Sequence, residues 1–201
     1  MRLLVTGGCG FIGSNFLRYV LQHYGPEMIT NVDSLVSGTL ASVEGLAGAF
    51  GERYEFLRAN LGDVEKIEAV LATHQFFGVV NFASESATGA AGMEMLIEHA
   101  RKHGVRRFMQ VSNDRVAAGK HQAAADELAL ATYRKHGEEV VITRSARNFG
   151  HFQSPQAFIP RQMPARSCGQ TRLFPTLKPI PSPCASVLIP SSTPALSPTT
   201  A

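Results

Sequence analysis

The chain has 201 residues, 44% of them hydrophobic, with no tryptophan and a net charge of +3; its mean hydropathy is close to zero. That length allows one domain with or without a tail, and the apolar fraction is enough for a soluble core without disulfides or metal. Charges of both signs are scattered, which argues against nucleic-acid and membrane partners. No run is apolar enough to span a bilayer, and the amino terminus enters a strand without a signal-peptide pattern, so the cytoplasm is the expected compartment.

Arg2 to Thr6 reads as a short strand, and Phe11 to Tyr24 carries apolar residues at helical spacing. Gly7, Gly8, Gly10 and Gly13 therefore fall on a strand-to-helix turn. Gly7 and Gly8 are expected to allow a turn that a Cβ would strain, Gly10 to let the backbone approach a pyrophosphate, and Gly13 to bring the helix close to the strand. A phosphate at this place meets the unpaired N–H groups and positive dipole end of a helix.

Met28 to Val32 reads as the second strand, ending at Asp33, about twenty residues beyond the last glycine. A carboxylate there accepts hydrogen bonds from a ribose 2′-OH. No Arg or Lys follows closely to hold a 2′-phosphate, so the spacing points to NAD rather than NADP as cofactor.

A helix is expected from Leu40 to Phe50, closed by Gly51, then a third strand from Tyr54 to Arg58 and a helix opened by Asp63 that runs to about His74. Phe77 to Phe82 is a fourth strand, Met93 to His103 a helix stopped by Gly104, and Arg106 to Val111 a fifth strand. An alanine-rich helix over Ala123 to His136 and a sixth strand from Val140 to Arg144 complete the alternation. Such alternation predicts an α/β fold of Rossmann type, with a doubly wound parallel sheet in the order 3-2-1-4-5-6. The domain is expected to span 1–160. Ten of the eleven prolines lie after Ser154, and the composition from Arg161 to Ala201 predicts a disordered Pro/Ser-rich tail.

The sequence resembles the extended short-chain dehydrogenase/reductases, the NAD-dependent epimerase/dehydratase family, and within it the dTDP-glucose 4,6-dehydratases. The resemblance rests on the run Thr6 to Ser14, on Asn31-Val32-Asp33, on Asn81-Phe82-Ala83-Ser84-Glu85-Ser86, on Ala100 to Phe108, and on Val140 to Arg144 followed by Asn148-Phe149-Gly150. It implies NAD contacts at Gly7, Gly10, Phe11, Ile12, Gly13, Asp33, Asn60, Leu61, Phe82, Ala83 and Ser84. Asn60 stands where the family usually has an acid that meets the adenine amino group.

The resemblance also implies a nucleotide-sugar substrate and a reaction in which NAD oxidises C4, water leaves across C5 and C6, and the hydride returns to C6. That chemistry uses a tyrosine, a lysine four residues on, and a Thr-Asp-Glu run. Here Ala118 and Gln122 stand at the tyrosine and lysine positions, and Ser112-Asn113-Asp114-Arg115 replaces Ser-Thr-Asp-Glu. Asp114 is the one surviving catalytic candidate, since a guanidinium has no lone pair to accept a proton. Tyr19, Tyr24, Tyr54 and Tyr133 are followed four residues on by His23, Met28, Arg58 and Gly137, so no other tyrosine supplies the pair. The connection from Ser86 to Met93 is short for the family, and no sugar-nucleotide half is recognisable after Pro160.

Three readings stay open. One is an NAD-binding relative with little or no turnover. Another is a non-catalytic nucleotide- or partner-binding module, with a homodimer through the helix layer, or the remnant of a decayed gene. The third is an oxidoreductase using Asp114 or His121 as its base.

Other patterns have plainer explanations. His99 and His103 lie one helical turn apart, but no carboxylate or cysteine pattern in the sequence joins them, so they are read as cations at a helix carboxy terminus and no metal is expected. Arg101, Lys102, Arg106 and Arg107 read as a solvated rim. Cys9, Cys168 and Cys184 are expected to form no disulfide, and no histidine is placed to activate Ser84 or Ser86.

Overall fold

The computed structural model describes residues 1–83, 89–113, 126–131, 135–137, 139–146, 148–154 and 156–157. Its centre is a sheet of six strands, β1 (Arg2–Thr6), β2 (Met28–Asp33), β3 (Tyr54–Arg58), β4 (Gly78–Asn81), β5 (Arg107–Asn113) and β6 (Glu139–Ser145). Every pairing is parallel and the order is β3-β2-β1-β4-β5-β6, as expected.

Strand residues alternate between two apolar clusters. Leu3 and Val5 pack with Leu17, Leu21 and Ile29 of the α1 (Phe11–His23) face, whereas Leu4 and Val79 pack with Ile67, Leu71 and Leu96 of α3 (Val64–Thr73) and α4 (Gly89–Lys102). A strand covered on both faces has no polar side to spare, and all four residues of β4 are buried. The helices bury residues at three- and four-residue intervals, Gly13, Leu17, Val20 and Leu21 in α1 and Ile67 and Leu71 in α3.

Helix ends follow the local chemistry. Asp63 caps α3 by accepting from the Lys66 backbone N–H. After α4, Gly104 has φ +78, with the Gly104 N–H bonded to Arg101 O and the Val105 N–H to Ala100 O. That is a Schellman closure, and it needs a residue tolerant of the left-handed region.

The segment expected as one helix from Leu40 to Phe50 is instead a 3-10 turn, Leu40–Val43, and a short α2, Leu46–Phe50. Gly45, at φ +81, separates them; the left-handed backbone there cannot continue a helix. The described part of helix α4 starts at Gly89, four residues before the expected Met93. Strand β4 is shorter than Phe77 to Phe82, while β5 and β6 reach farther. Residues 126–131 and 135–136 are helical within the expected alanine-rich helix. The expected tail, Arg161 to Ala201, lies outside the described residues.

Candidate functional site

The carboxyl ends of β1, β2, β3 and β4 surround a cleft that is open to solvent. Gly7, Gly10, Asp33, Asn60, Leu61, Phe82 and Ala83 line it, all singled out from the sequence, and Val32, Ser34, Val36, Ser37 and Ala59 join them. Phe11, Ile12 and Gly13 do not line it; they form the first turn of α1 beside it. Ser84, Asp114, Ala118, His121 and Gln122 lie outside the described residues.

The glycines differ in what they prevent. Gly7 has φ +72, and a Cβ on it would stand 2.6 Å from the Ala83 backbone nitrogen. Gly8 is needed for space rather than for its backbone angle: its Cβ would meet the Asn31 Oδ1 at 2.1 Å and Leu17 at 2.8 Å. Gly13 packs against the turn itself, with Gly7 O at 2.5 Å from its would-be Cβ. Gly10 has only Gly7 O nearby, at 3.3 Å, so its outer side faces open space. Gly38, which the sequence reading passed over, lets the loop after β2 touch Cys9, whose backbone carbon would be 2.7 Å from a Cβ.

Asp33 ends β2 and is nearly buried. Its Oδ2 accepts from the Cys9 N–H at 2.8 Å and its Oδ1 from the Leu35 N–H at 2.7 Å. The carboxylate thus clamps the glycine turn to the loop after β2. Each oxygen keeps lone-pair capacity for a further donor. Close by, burial and the Asp33 charge push the Cys9 thiol up to about 12, against a smaller opposing effect of its hydrogen bond with Asn31. A thiol held protonated in this way is a packing residue, not a nucleophile. Burial likewise pushes Tyr54 up to about 12, and its hydroxyl accepts from Asn31 Nδ2 at 2.9 Å.

Helix α1 starts at Gly10 with no side-chain cap and no acid in its first turn. Its amino terminus therefore offers backbone N–H donors and a positive dipole end to an anion. Asp33 is the only ionisable residue among the described residues lining the cleft. An anion-binding helix end, a carboxylate that can take hydroxyl donors, and apolar walls at Val36, Leu61 and Phe82 form a binding arrangement, with no acid–base pair among the described residues that line it.

Outside the cleft, the absence of a carboxylate beside His99 and His103 is corrected by the fold. Glu68 of α3 reaches both, contacting His99 Nδ1 and lying 2.9 Å from His103 Nε2. Only the packing of α3 on α4 brings the three together. Among the described residues, no group of three or more His, Cys, Asp and Glu side chains could hold a metal ion. No helix there is long and apolar enough to cross a membrane. Cys9 is buried as a free thiol.

Residues 4–127 match the family model described as GDP-mannose 4,6 dehydratase. A dTDP-glucose 4,6-dehydratase of Streptomyces niveus is 34% identical over 80% of this chain and 57% of its own length. One from Actinoplanes is 32% identical over 80% of this chain and 61% of its own. Among solved structures, the dTDP-glucose 4,6-dehydratase of Bacillus anthracis in complex with NAD is 33% identical, with a TM-score of 0.73 over 80% of this chain and 59% of that one. The chain spans less than two thirds of the length of these relatives.

Proposed function

Because the chain belongs to the GDP-mannose 4,6 dehydratase family, we propose that its cleft binds NAD and that the protein turns over nucleotide sugar slowly or not at all. The observation that carries the first part is Asp33, held by the Cys9 and Leu35 N–H groups at the rim of a glycine turn that opens directly into the uncapped α1. The residues suit a dinucleotide. Gly10 leaves the outer side of the turn open for a pyrophosphate, which the first turn of α1 would hold. The Asp33 carboxylate would take the ribose hydroxyls, and Asn60, Leu61, Phe82 and Ala83 would line the nucleoside. Residues 34–38 contain no cation for a 2′-phosphate, which favours NAD over NADP.

Bound NAD would supply a hydride acceptor, as cofactors of this class do. The second part is supported by the sequence at Ala118, Gln122 and Arg115. Ala118 cannot take a hydroxyl proton, Gln122 carries no charge that would lower the pKa of a phenol, and Arg115 cannot accept a proton from carbon. The described chain would then bind and orient the cofactor without moving a substrate proton.

Calorimetric titration tests this reading. Wild-type protein is expected to bind NAD saturably and NADP at least about tenfold more weakly, and Asp33→Ala is expected to weaken NAD by a similar factor, as loss of hydrogen bonds to a charged group does. Absence of NAD binding would overturn the first part. Formation of 4-keto sugar from dTDP-glucose by the purified protein at an ordinary enzymatic rate, about 1 s⁻¹ or faster, would overturn the second.

A further inference from the structure

The cleft wall formed by Phe82 and Ala83 is the stretch of chain that leaves β4. Its position is set by one buried amide. Asn81, the last residue of β4, is 1% exposed and its side chain is fully engaged. Its Oδ1 accepts from Thr6 Oγ1 at 2.5 Å and from the Ala83 backbone N–H at 3.0 Å. Its Nδ2 donates to Gln110 Oε1 at 2.8 Å and approaches Met93 Sδ at 3.2 Å.

The two donors on one side and two acceptors on the other leave a single amide orientation that satisfies all of them. One side chain therefore ties together β1 through Thr6, β5 through Gln110, α4 through Met93, and the exit of β4 through Ala83. Ala83 is also pressed from the β1 side, because a Cβ on Gly7 would stand 2.6 Å from its nitrogen. The Phe82 N–H bonds to Thr6 O at 2.8 Å, and its ring packs on Phe16 of α1 at 5.1 Å. Without the bond from Asn81, the Ala83 N–H would have to find water inside the cleft.

We propose that Asn81 is a positioning residue for the cofactor cleft: its carboxamide holds the Phe82–Ala83 wall at the distance from Gly7 that a bound dinucleotide requires. This rests on the reading of the cleft as an NAD site. Asn81 touches no ligand itself; it acts through the Ala83 backbone.

The test combines NAD calorimetry with amide hydrogen exchange of the protein without nucleotide. Asn81→Ala is expected to raise the NAD Kd by about tenfold and to speed Ala83 amide exchange, the scale of a lost buried hydrogen bond. Asn81→Asp keeps both acceptor roles, and Gln110 can turn its amide to donate. It is expected to hold the Kd within about threefold of wild type and to keep Ala83 protected.

Leu71→Ala, a core truncation in α3, serves as the control for general loss of stability; it is expected to lower Tm while leaving NAD affinity within about twofold. Equal weakening by Leu71→Ala and Asn81→Ala would mean a merely structural role and overturn the proposal. So would fast exchange at Ala83 in the wild-type protein, a measurement that decides the matter even if Asn81→Ala does not fold. Failure of wild type to bind NAD would overturn the cofactor reading, while Ala83 exchange would still report whether Asn81 holds the wall.

Discussion

The centre of the sheet and its β6 edge are built differently. At β1, β2 and β4 nearly every residue is buried, and the charged group there, Asp33, is satisfied by backbone N–H groups of its own neighbourhood. At β6 no residue is fully buried, and the pattern is one of half-exposed positions. The buried charge near that edge, Asp126, is held by the Ser112 hydroxyl at 3.0 Å and by the Arg144 guanidinium at 3.2 Å. The Arg144 side chain is 57% exposed, and Asp126 Oδ1 has no hydrogen-bond partner among the described residues. Backbone donors come with the fold at no added side-chain ordering, whereas an exposed guanidinium must be fixed in place and is screened by solvent. The central strands that carry the cleft are therefore the robust part of the sheet, and the β6 edge depends on a few side chains.

The largest effect should come from crowding the glycine turn. Gly13→Val places carbon atoms where Gly7 O and Gly8 Cα already stand, at 2.5 and 2.8 Å from an ideal Cβ. Neither can move without opening the turn, so a loss of about 3 kcal/mol is expected in urea denaturation, with NAD binding abolished. A neutral result would show that the turn is looser than its contacts imply.

Next in size is Asp126→Ala near the β6 edge. Removing this carboxylate leaves Ser112 unpartnered in a buried place and frees Arg144, for an expected loss of about 2 kcal/mol. If this variant proves more damaging than Gly13→Val, the ranking of centre and edge is reversed. Asp63→Ala, at a surface cap remote from both, should lower the urea midpoint less than either, by removing the side-chain acceptor for Lys66 N–H.

The smallest effect belongs to Glu68, which bridges His103 and His99 on α4. These hydrogen bonds, His103 first, hold its carboxyl below the usual 4.5. A depressed carboxylate stabilises the fold above its unfolded pKa, and that contribution disappears as the pH falls through the folded value. The difference in urea midpoint between wild type and Glu68→Gln should accordingly be present at about pH 6 and close below about pH 4. A difference that persists in acid would mean that the bridge acts through packing and not through charge.

Much of this was legible in the chain itself. Strands β1 and β3 have the expected limits, Arg2–Thr6 and Tyr54–Arg58, because each is a short apolar run bounded by glycine or a charged turn. Asp63 and Gly104 announced a helix start and a helix stop through hydrogen-bonding chemistry that acts within a few residues. The single helix expected over Leu40 to Phe50 was not found, since the left-handed conformation of Gly45 outweighs the apolar spacing around it. Ser34, Val36 and Ser37 in the cleft wall carry no chemical signature; they line it because the loop after β2 folds back over Cys9, where Gly38 permits contact.

Local pattern, then, determined which segments are strands and helices, that the strands run parallel, and that Gly7, Gly10 and Asp33 belong to one site. These follow from periodicity, capping and the conformational freedom of glycine, all of which are encoded within a few residues. Tertiary structure alone decided that Gly8 must be bare because Asn31 fills the space beside it, that Glu68 joins two histidines from another helix, and that the Asn81 amide binds three strands and the cleft wall together. Those contacts link residues far apart in the chain, and hydrogen-bond geometry exists only once packing has brought both partners to within about 3 Å of one another.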